Sequence, residues 1–131
     1  MELDHVDVLT SVEGINELVP RVELKQQKKE IRITGISRRP DPGMFYTKLI
    51  EKLKNLFIGF KNNINSEFYF EYLNRGSSKW LYYTLNHLET YLDEGGTIKI
   101  TWKYDKGDES IKEIGEVLKA QLKIPFTIIA V

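Results

Sequence analysis

Short stretches in which every second residue is apolar alternate along this chain with longer stretches in which apolar residues recur every three or four positions. The first spacing is typical of a β-strand with one buried face, and the second of an amphipathic helix. From residue 20 onward their order is β-β-α-β-α-β-α-β. Because a helix that connects two strands returns the chain to the starting end of the sheet, this order predicts one α/β domain with helices packed on a mainly parallel, mixed central sheet.

Five segments are predicted to form the strands. Residues 22–24 and 31–33 flank a polar connection and indicate a hairpin. The third segment is rich in aromatic residues, since Phe68, Phe70 and Tyr72 recur at every second position, and it is apolar enough to be central. The last two segments are residues 98–104 and 125–131. The residues predicted to lie in the central strands are Phe70, Tyr72, Ile98, Ile100, Phe126 and Ile128.

Three helices are predicted, at about residues 45–60, 77–93 and 108–121. Asp41 suits the N-cap of the first helix and Pro42 its first turn, because aspartate accepts from free helix N–H groups and proline has no N–H to satisfy. Asp108 is expected to cap the third helix, with Glu109 in the first turn, where the helix dipole favours negative charge.

The first 19 residues show no sustained strand-like alternation and no long helical face. They contain no Lys or Arg, and their acidic residues are Glu2, Asp4, Asp7, Glu13 and Glu17. We therefore expect a loosely ordered acidic N-terminal arm at residues 1–19, followed by one folded domain at residues 20–131.

Composition excludes several classes of protein. The chain has no cysteine, which excludes disulfide scaffolds, thiol catalysis and thiolate metal sites. No apolar run approaches the roughly 20 residues needed to cross a bilayer, and no signal peptide is apparent, so we expect a cytoplasmic protein without membrane insertion. The net charge is +0, and the mild basic excess after residue 20 is too weak to indicate nucleic acid.

Residues for catalysis are few. The two histidines are His5, in the arm, and His87, in the second predicted helix, where a packing or surface role is expected. Asp105, Asp108 and Glu109 form an acidic cluster, but a helix cap explains it more simply than a cation site. The sequence therefore predicts no enzyme activity, no metal and no cofactor. A basic run is expected to be a solvated edge and comprises Lys28, Lys29, Arg32, Arg38 and Arg39.

The turn from Asn74 to Lys79 has the most specific chemistry. It follows a buried strand, at the sheet end where α/β proteins place their sites, and it leads into a helix N-terminus that favours anions. A phosphate on Ser77 or Ser78 would add a charge near −2 there. The simpler alternative is that one of these serines only caps the helix.

Six short motifs occur here in the order and spacing of a known family. The chain resembles the SiaC-type regulatory phosphoproteins of bacteria, which are similar in fold to the STAS domains of anti-sigma-factor antagonists. The resemblance covers about residues 30–131. It is carried by ITGIS at 33–37, FY at 45–46, FEYLN at 70–74 with SSK at 77–79, WKYD at 102–105, EIGE at 113–116 and PF at 125–126.

The resemblance implies a SiaC/STAS-like regulatory domain that acts as a partner switch without being an enzyme. In this family a kinase phosphorylates a Ser or Thr in the loop before the second helix, and a serine/threonine phosphatase reverses the modification. The unmodified form binds and activates a diguanylate cyclase, which raises cyclic di-GMP and favours biofilm growth or aggregation. For this chain we expect a monomer or a weak homodimer.

The resemblance also implies the site residues. The phosphoacceptor candidates are Ser77 and Ser78. The partner-binding loop comprises Asn74, Arg75, Gly76 and Lys79, and a second candidate loop comprises Arg38, Arg39 and Asp41. Family members commonly place the acceptor directly after the Asn, whereas Arg75 and Gly76 follow Asn74 here. The acceptor has therefore moved along the loop or been lost.

Two other classes of function remain open at this stage. One is a STAS-type module that binds a small ligand or lipid, or an anti-sigma-factor antagonist. A large apolar pocket lined by Phe68, Phe70 or Tyr83 would favour ligand binding, and a filled core would disfavour it. The other is an enzyme of unknown type, which would need His87, Asp105 or Asp108 gathered around one cleft.

Overall fold

The computed structural model describes residues 6–8, 18–25, 27–57, 63–93 and 95–131. The six strands are β1 (Val6–Val8), β2 (Arg21–Lys25), β3 (Glu30–Ser37), β4 (Asn63–Leu73), β5 (Thr97–Tyr104) and β6 (Phe126–Ala130). The three helices are α1 (Gly43–Phe57), α2 (Arg75–Asp93) and α3 (Glu109–Gln121).

The strands form one sheet in the order β1-β2-β3-β4-β5-β6. β6 is therefore an edge strand, so the prediction that Phe126 and Ile128 lie in a central strand was wrong: β6 is apolar because α3 packs against it, not because strands flank it on both sides. β1, β2 and β3 pair antiparallel, and β3 to β6 pair parallel, which confirms the predicted α/β fold with a mainly parallel, mixed sheet. Each helical crossover advances the chain by one strand in the same direction. Because such crossovers are right-handed, all three helices lie on one face of the sheet.

Every second residue of the strands is buried, as expected when helices cover only one face of the sheet. The face under the helices carries the core side chains, which include Val22, Leu24, Ile31, Ile33, Ile64, Phe68, Phe70, Ile98, Ile100, Trp102 and Phe126. The opposite face is polar. There Glu67 pairs with Arg32, Oε2 to Nε at 3.2 Å, and with Lys103, Oε1 to Nζ at 2.8 Å. This ion network spans the three adjacent strands β3, β4 and β5.

The position of α3 follows from its cap and its closest contact with the sheet. Asp108 accepts a hydrogen bond from the Ile111 N–H at 3.1 Å, as predicted for the N-cap. The Trp102 indole donates to the Ile111 carbonyl at 3.0 Å. A Cβ on Gly115 would lie 2.5 Å from Trp102 Cδ1, so the helix approaches the sheet this closely only because glycine has no side chain.

The structure differs from the sequence prediction at the N-terminal edge of the sheet. No strand was predicted before residue 20, but β1 pairs antiparallel with β2 and adds a sixth strand. The Arg38 N–H also donates to the Leu18 carbonyl at 2.9 Å. Val19, at the end of the predicted arm, is buried in the core. Residues 1–5 and 9–17 of the arm, His5 included, lie outside the described residues.

The first two helices begin at other residues than predicted. α1 begins at Gly43, whose N–H donates to the Asp41 carboxylate at 3.3 Å, so Asp41 accepts from the helix without being the residue directly before it. Its predicted last turn, at residues 58–60, lies outside the described residues. α2 begins at Arg75 instead of residue 77. Among the residues described, no helix is long and apolar enough to span a membrane.

A β-bulge near the end of β4 reverses which side chains point to the helix-covered face of the sheet. The pairing shifts between Gly35 and Ile36: Gly35 is paired with Phe70, but Ile36 with Tyr72, so Glu71 is an extra residue. Gly35 has a φ of +101°, which a residue with a side chain rarely adopts. Tyr72 lies in a central strand as predicted, yet the bulge turns it to the open face, where it is 51% exposed, and Leu73 is buried instead.

Candidate functional site at the N-terminus of the second helix

Asn74 connects the end of β4 to the start of α2. Its side-chain oxygen accepts from the Ser77 N–H at 2.8 Å, and its carbonyl accepts from the Ser78 N–H at 3.0 Å. Asn74 is therefore the N-cap, the role that residue type alone had left to Ser77 or Ser78. Its own N–H donates to the Ser37 carbonyl at 3.0 Å, which ties the cap to the end of β3.

The two loops predicted separately from the sequence lie side by side. The Asn74 amide donates to the Arg39 carbonyl at 3.0 Å, so the cap of α2 also holds the loop before α1. A Cβ on Gly76 would lie 3.5 Å from Pro42 Cγ, which shows how near the two segments are. We call this combined area the loop surface; it is defined by Arg38, Arg39, Asp41, Asn74, Arg75, Gly76 and Lys79.

Ser77, one of the two phosphoacceptor candidates, is fully buried. Its hydroxyl accepts from the Ser37 hydroxyl at 2.8 Å, and the Ser37 hydroxyl lies 2.8 Å from the Tyr46 hydroxyl. Burial raises the pKa of Tyr46 to about 12, although the hydrogen bonds with Ser37 and Ser77 act in the opposite direction. This cluster of three hydroxyls joins β3, α1 and α2 beneath the loop surface.

Ser78, the other candidate, is half-buried and reaches the surface. Its hydroxyl donates to the Asn74 carbonyl at 3.1 Å. It lines one end of a groove of about 460 Å³ between α2 and α3. The remaining lining residues are Lys79, Tyr82, Ser110, Glu113, Ile114, Val117, Leu118 and Gln121.

An exposed aromatic side chain that the sequence did not identify borders the loop surface. Tyr72 lines a cavity of about 440 Å³ together with Ile36, Arg38 and Asn74. It reaches this position only because of the bulge at Glu71. The glycine at position 35 was the available signal, since an isolated glycine in a strand pattern often marks a bulge.

The residues considered for catalysis lie in different parts of the fold: His87 in α2, and Asp105 and Asp108 in the turn between β5 and α3. Asp105 accepts a hydrogen bond from the Tyr69 hydroxyl, which raises the pKa of Tyr69. Asp108 caps α3, and His87 is half-buried on α2. Within the described part of the chain, no group of three or more His, Cys, Asp or Glu side chains is arranged to hold a metal ion.

Aromatic rings fill the interior where a ligand pocket was considered. The ring centroid of Trp102 lies 5.7 Å from that of Phe70 and 6.1 Å from that of Phe68. Tyr83 lies on the surface, where its ring packs edge-on against Trp80 at 5.7 Å. Phe68 and Phe70 therefore lie in a filled core and Tyr83 lies on the surface, which disfavours the ligand-binding alternative.

Comparisons with solved structures find the same fold in one bacterial protein. SiaC of Pseudomonas aeruginosa is 20% identical, with a TM-score of 0.79 over 88% of this chain and 93% of that chain. Apo-SiaC from Pseudomonas aeruginosa is 18% identical, with a TM-score of 0.79 over 97% and 98%. The crystal structure of diguanylate cyclase SiaD in complex with its activator SiaC, from the same organism, matches at 21% identity and a TM-score of 0.80, over 88% and 95%.

No curated protein matches the chain. A comparison with protein families matches residues 15–131 to the SiaC family regulatory phosphoproteins. Of the elements that the structure describes, the match includes all three helices, five of the six strands and the whole loop surface. The chain therefore belongs to the SiaC family of regulatory phosphoproteins.

Proposed function

We propose that this chain is a non-enzymatic, cytoplasmic signalling regulator that binds and controls a diguanylate cyclase through its loop surface. Family membership supports the regulatory role. The solved complex of SiaC with the diguanylate cyclase SiaD supports a diguanylate cyclase as the partner class. Reversible phosphorylation by a kinase and a serine/threonine phosphatase controls the binding.

The observation that carries this proposal is the joining of two loops into one surface by Asn74. Arg38, Arg75 and Lys79 are exposed on that surface, and Tyr72 provides an exposed aromatic ring beside them. Aromatic and arginine side chains are the types that contribute most to protein interfaces. The surface therefore fits a protein partner that presents carboxylates around an apolar contact.

The burial of the two candidate serines favours Ser78 over Ser77 as the phosphoacceptor. A kinase needs to reach the hydroxyl, and Ser77 is fully buried in its hydrogen bonds with Ser37. Ser78 is half-buried, in the first turn of α2 and next to Lys79. A phosphate there would be favoured by the helix N-terminus, so the fold should tolerate it. We therefore assign the acceptor to Ser78.

Phosphorylation of Ser78 would oppose the binding of the partner. A charge near −2 at the edge of the loop surface would repel the partner's carboxylates, and it would lose its water against the partner's apolar surface without gaining a partner charge. The expected loss of affinity is about 100-fold, which corresponds to about 2.7 kcal/mol. Arg75 occupies the position at which family members commonly carry the acceptor. If the chain takes up no phosphate, Arg75 would be a fixed charge in place of the acceptor, and the regulator would be held in one state.

The test measures binding of the purified chain to the diguanylate cyclase of the same organism by titration calorimetry, together with cyclic di-GMP production. Wild type and Ser78→Ala are expected to bind and raise production, and Ser78→Asp to bind about 100-fold more weakly. Thr90→Asp is the matched control, because Thr90 is an exposed hydroxyl at the other end of α2. Equal effects of Ser78→Asp and Thr90→Asp would refute the proposed surface.

Phosphate uptake is tested separately with the kinase of the same organism and mass spectrometry. Ser77→Ala is expected to accept phosphate and Ser78→Ala to accept none. Uptake by the double variant would place the acceptor elsewhere. Failure of wild type to bind any diguanylate cyclase of that organism would refute the partner class, whatever the phosphorylation result.

A further inference from the structure

The strand β6 forms one edge of the sheet, and in the part of the chain that the structure describes no strand lies beyond it. The Ile100 N–H donates to the Pro125 carbonyl at 2.9 Å, and the Val131 N–H donates to the Tyr104 carbonyl at 2.9 Å. Odd-numbered residues therefore turn their backbone groups toward β5. Because these groups alternate along a strand, Phe126, Ile128 and Ala130 turn their N–H and C=O groups away from the sheet.

This edge lacks the features that usually prevent strands from associating. Exposed edges are commonly protected by charged side chains, proline, a bulge or a very short strand. β6 has the sequence FTIIA, with no charge and no proline. The opposite edge is protected, since β1 has three residues and an aspartate in the middle. On β6, Ile129 is 40% exposed.

We propose that the chain associates with a second copy of itself through β6. The two β6 strands pair antiparallel around a two-fold axis at Ile128 and join the two sheets into one. Ile128 lies opposite Ile128 of the second copy, and Phe126 opposite Ala130. Each of these opposed residue pairs exchanges two N–H···O=C hydrogen bonds, so every outward backbone group of the strand finds a partner.

The side chains are self-complementary in this register. On the helix-covered face, isoleucine meets isoleucine at position 128, and Phe126 meets the small Ala130. On the open face, Thr127 lies opposite Ile129 of the second copy, which covers the exposed part of that isoleucine. No like charges meet, and β-branched side chains directly opposite each other stabilise paired strands.

The helices leave room for this pairing. α3 contacts β4, β5 and β6, so its axis lies over β5 and not over the edge strand. With strands about 4.8 Å apart, the β5 strands of the two copies, and so the two α3 axes, are roughly 14 Å apart. Helices pack at 8–10 Å, so the two α3 helices neither collide nor pack. The interface therefore consists mainly of the strand pair, which predicts a weak dimer.

The test is sedimentation equilibrium of the full chain over a range of concentrations. The weight-average mass is expected to rise from 15.3 kDa toward twice that value as the concentration approaches about 1 mM. Ala130→Pro removes an outward N–H without breaking a bond to β5, and it is expected to weaken the dimer at least about 10-fold. Ala130→Ser, which keeps that N–H, is the matched control and is expected to dimerise like wild type.

Amide hydrogen exchange on wild type gives a second measurement that needs no substitution. The amides of Phe126, Ile128 and Ala130 are expected to exchange more slowly at high than at low concentration, while those of Thr127 and Ile129 stay protected at both. A chain that is monomeric throughout would overturn the proposal. So would equal dimerisation of Ala130→Pro and Ala130→Ser, or protection of the three amides only when a different protein is added.

Discussion

Among single residues, Ser37, Tyr46 and Ser77 form a buried cluster of three hydroxyls next to the loop surface. They hydrogen-bond to one another in a buried position and connect a strand to two helices. Each buried hydroxyl needs a partner, because an unpaired one costs about 1–3 kcal/mol. The cluster therefore accounts for the burial of Ser77, whereas Ser78, one position further along α2, is half-buried.

Replacement of Tyr46 by Phe should change how stability depends on pH. The pKa of Tyr46 is raised to about 12 by burial, so the folded protein holds this proton more tightly than the unfolded chain, whose value is near 10.0. The free energy of unfolding therefore falls as pH rises from about 10 toward 12, by roughly 2–3 kcal/mol from this group.

Urea unfolding at several alkaline pH values measures this contribution. Tyr46→Phe should lose about 1 kcal/mol at pH 8, through the missing hydrogen bond, and should fall less steeply than wild type above pH 10. Tyr72→Phe removes a hydroxyl from an exposed ring and is the control. Parallel curves for wild type and Tyr46→Phe would contradict the assignment.

Aspartate at the two neighbouring serines should affect stability very differently. Ser77→Asp places a carboxylate in a fully buried position and should cost about 3 kcal/mol or more. Ser78→Asp places it at the surface in the first turn of α2 and should change stability by less than about 1 kcal/mol. Thermal unfolding of both variants measures the difference. Equal melting temperatures would show that the Ser77 hydroxyl is not buried as described.

At the scale of elements, the distance between α3 and β5 depends on the absence of a side chain at Gly115. The Trp102 ring occupies the space where a Cβ would be, and its indole N–H reaches the helix backbone at Ile111. Glycine in the middle of a helix is normally unfavourable by roughly 0.5–1 kcal/mol relative to alanine. The close packing of helix on sheet offsets that cost here.

Gly115→Ala should therefore lower stability although alanine favours helices. Its Cβ would lie 2.5 Å from Trp102 Cδ1, so the helix or the ring must move, at a cost of about 1–3 kcal/mol. Gly76→Ala is a matched control in α2, where the nearest atom is 3.5 Å away, and it should be neutral or slightly stabilising. The melting temperatures of the two variants give the comparison, and a stabilising Gly115→Ala would contradict the packing described.

In the molecule as a whole, the order of the strands separates the loop surface from the free edge of the sheet. The loop surface lies at the ends of β3 and β4, whereas the free edge is β6, two strands away from β4. Association through β6 would therefore leave the loop surface of each copy open. A dimer of this kind would present two equivalent loop surfaces to a partner.

The intact protein should not depend on a metal ion for its stability. Two of the three carboxylates considered as ligands have hydrogen-bond partners, Asp105 with the Tyr69 hydroxyl and Asp108 with the N-terminus of α3. No described group of three or more His, Cys, Asp or Glu side chains is arranged to hold a metal ion. Dialysis against EDTA should leave the melting temperature unchanged, because no folding energy comes from metal binding. Differential scanning calorimetry before and after dialysis measures this, and a drop of several degrees would reveal a structural ion.

The order of five strands and three helices, the capping of α3 by Asp108 and the family could all be predicted from the sequence, because they depend on periodicity and motifs within short segments. The exposure of Tyr72, the burial of Ser77 and the pairing of β1 could not be predicted in this way. Each depends on segments far apart in the chain: the register of β3 on β4 produces the bulge at Glu71, and the hydroxyls of Ser37 and Tyr46 meet Ser77 only after folding. Local patterns specify which elements form, whereas the contacts between elements specify which side chains they present.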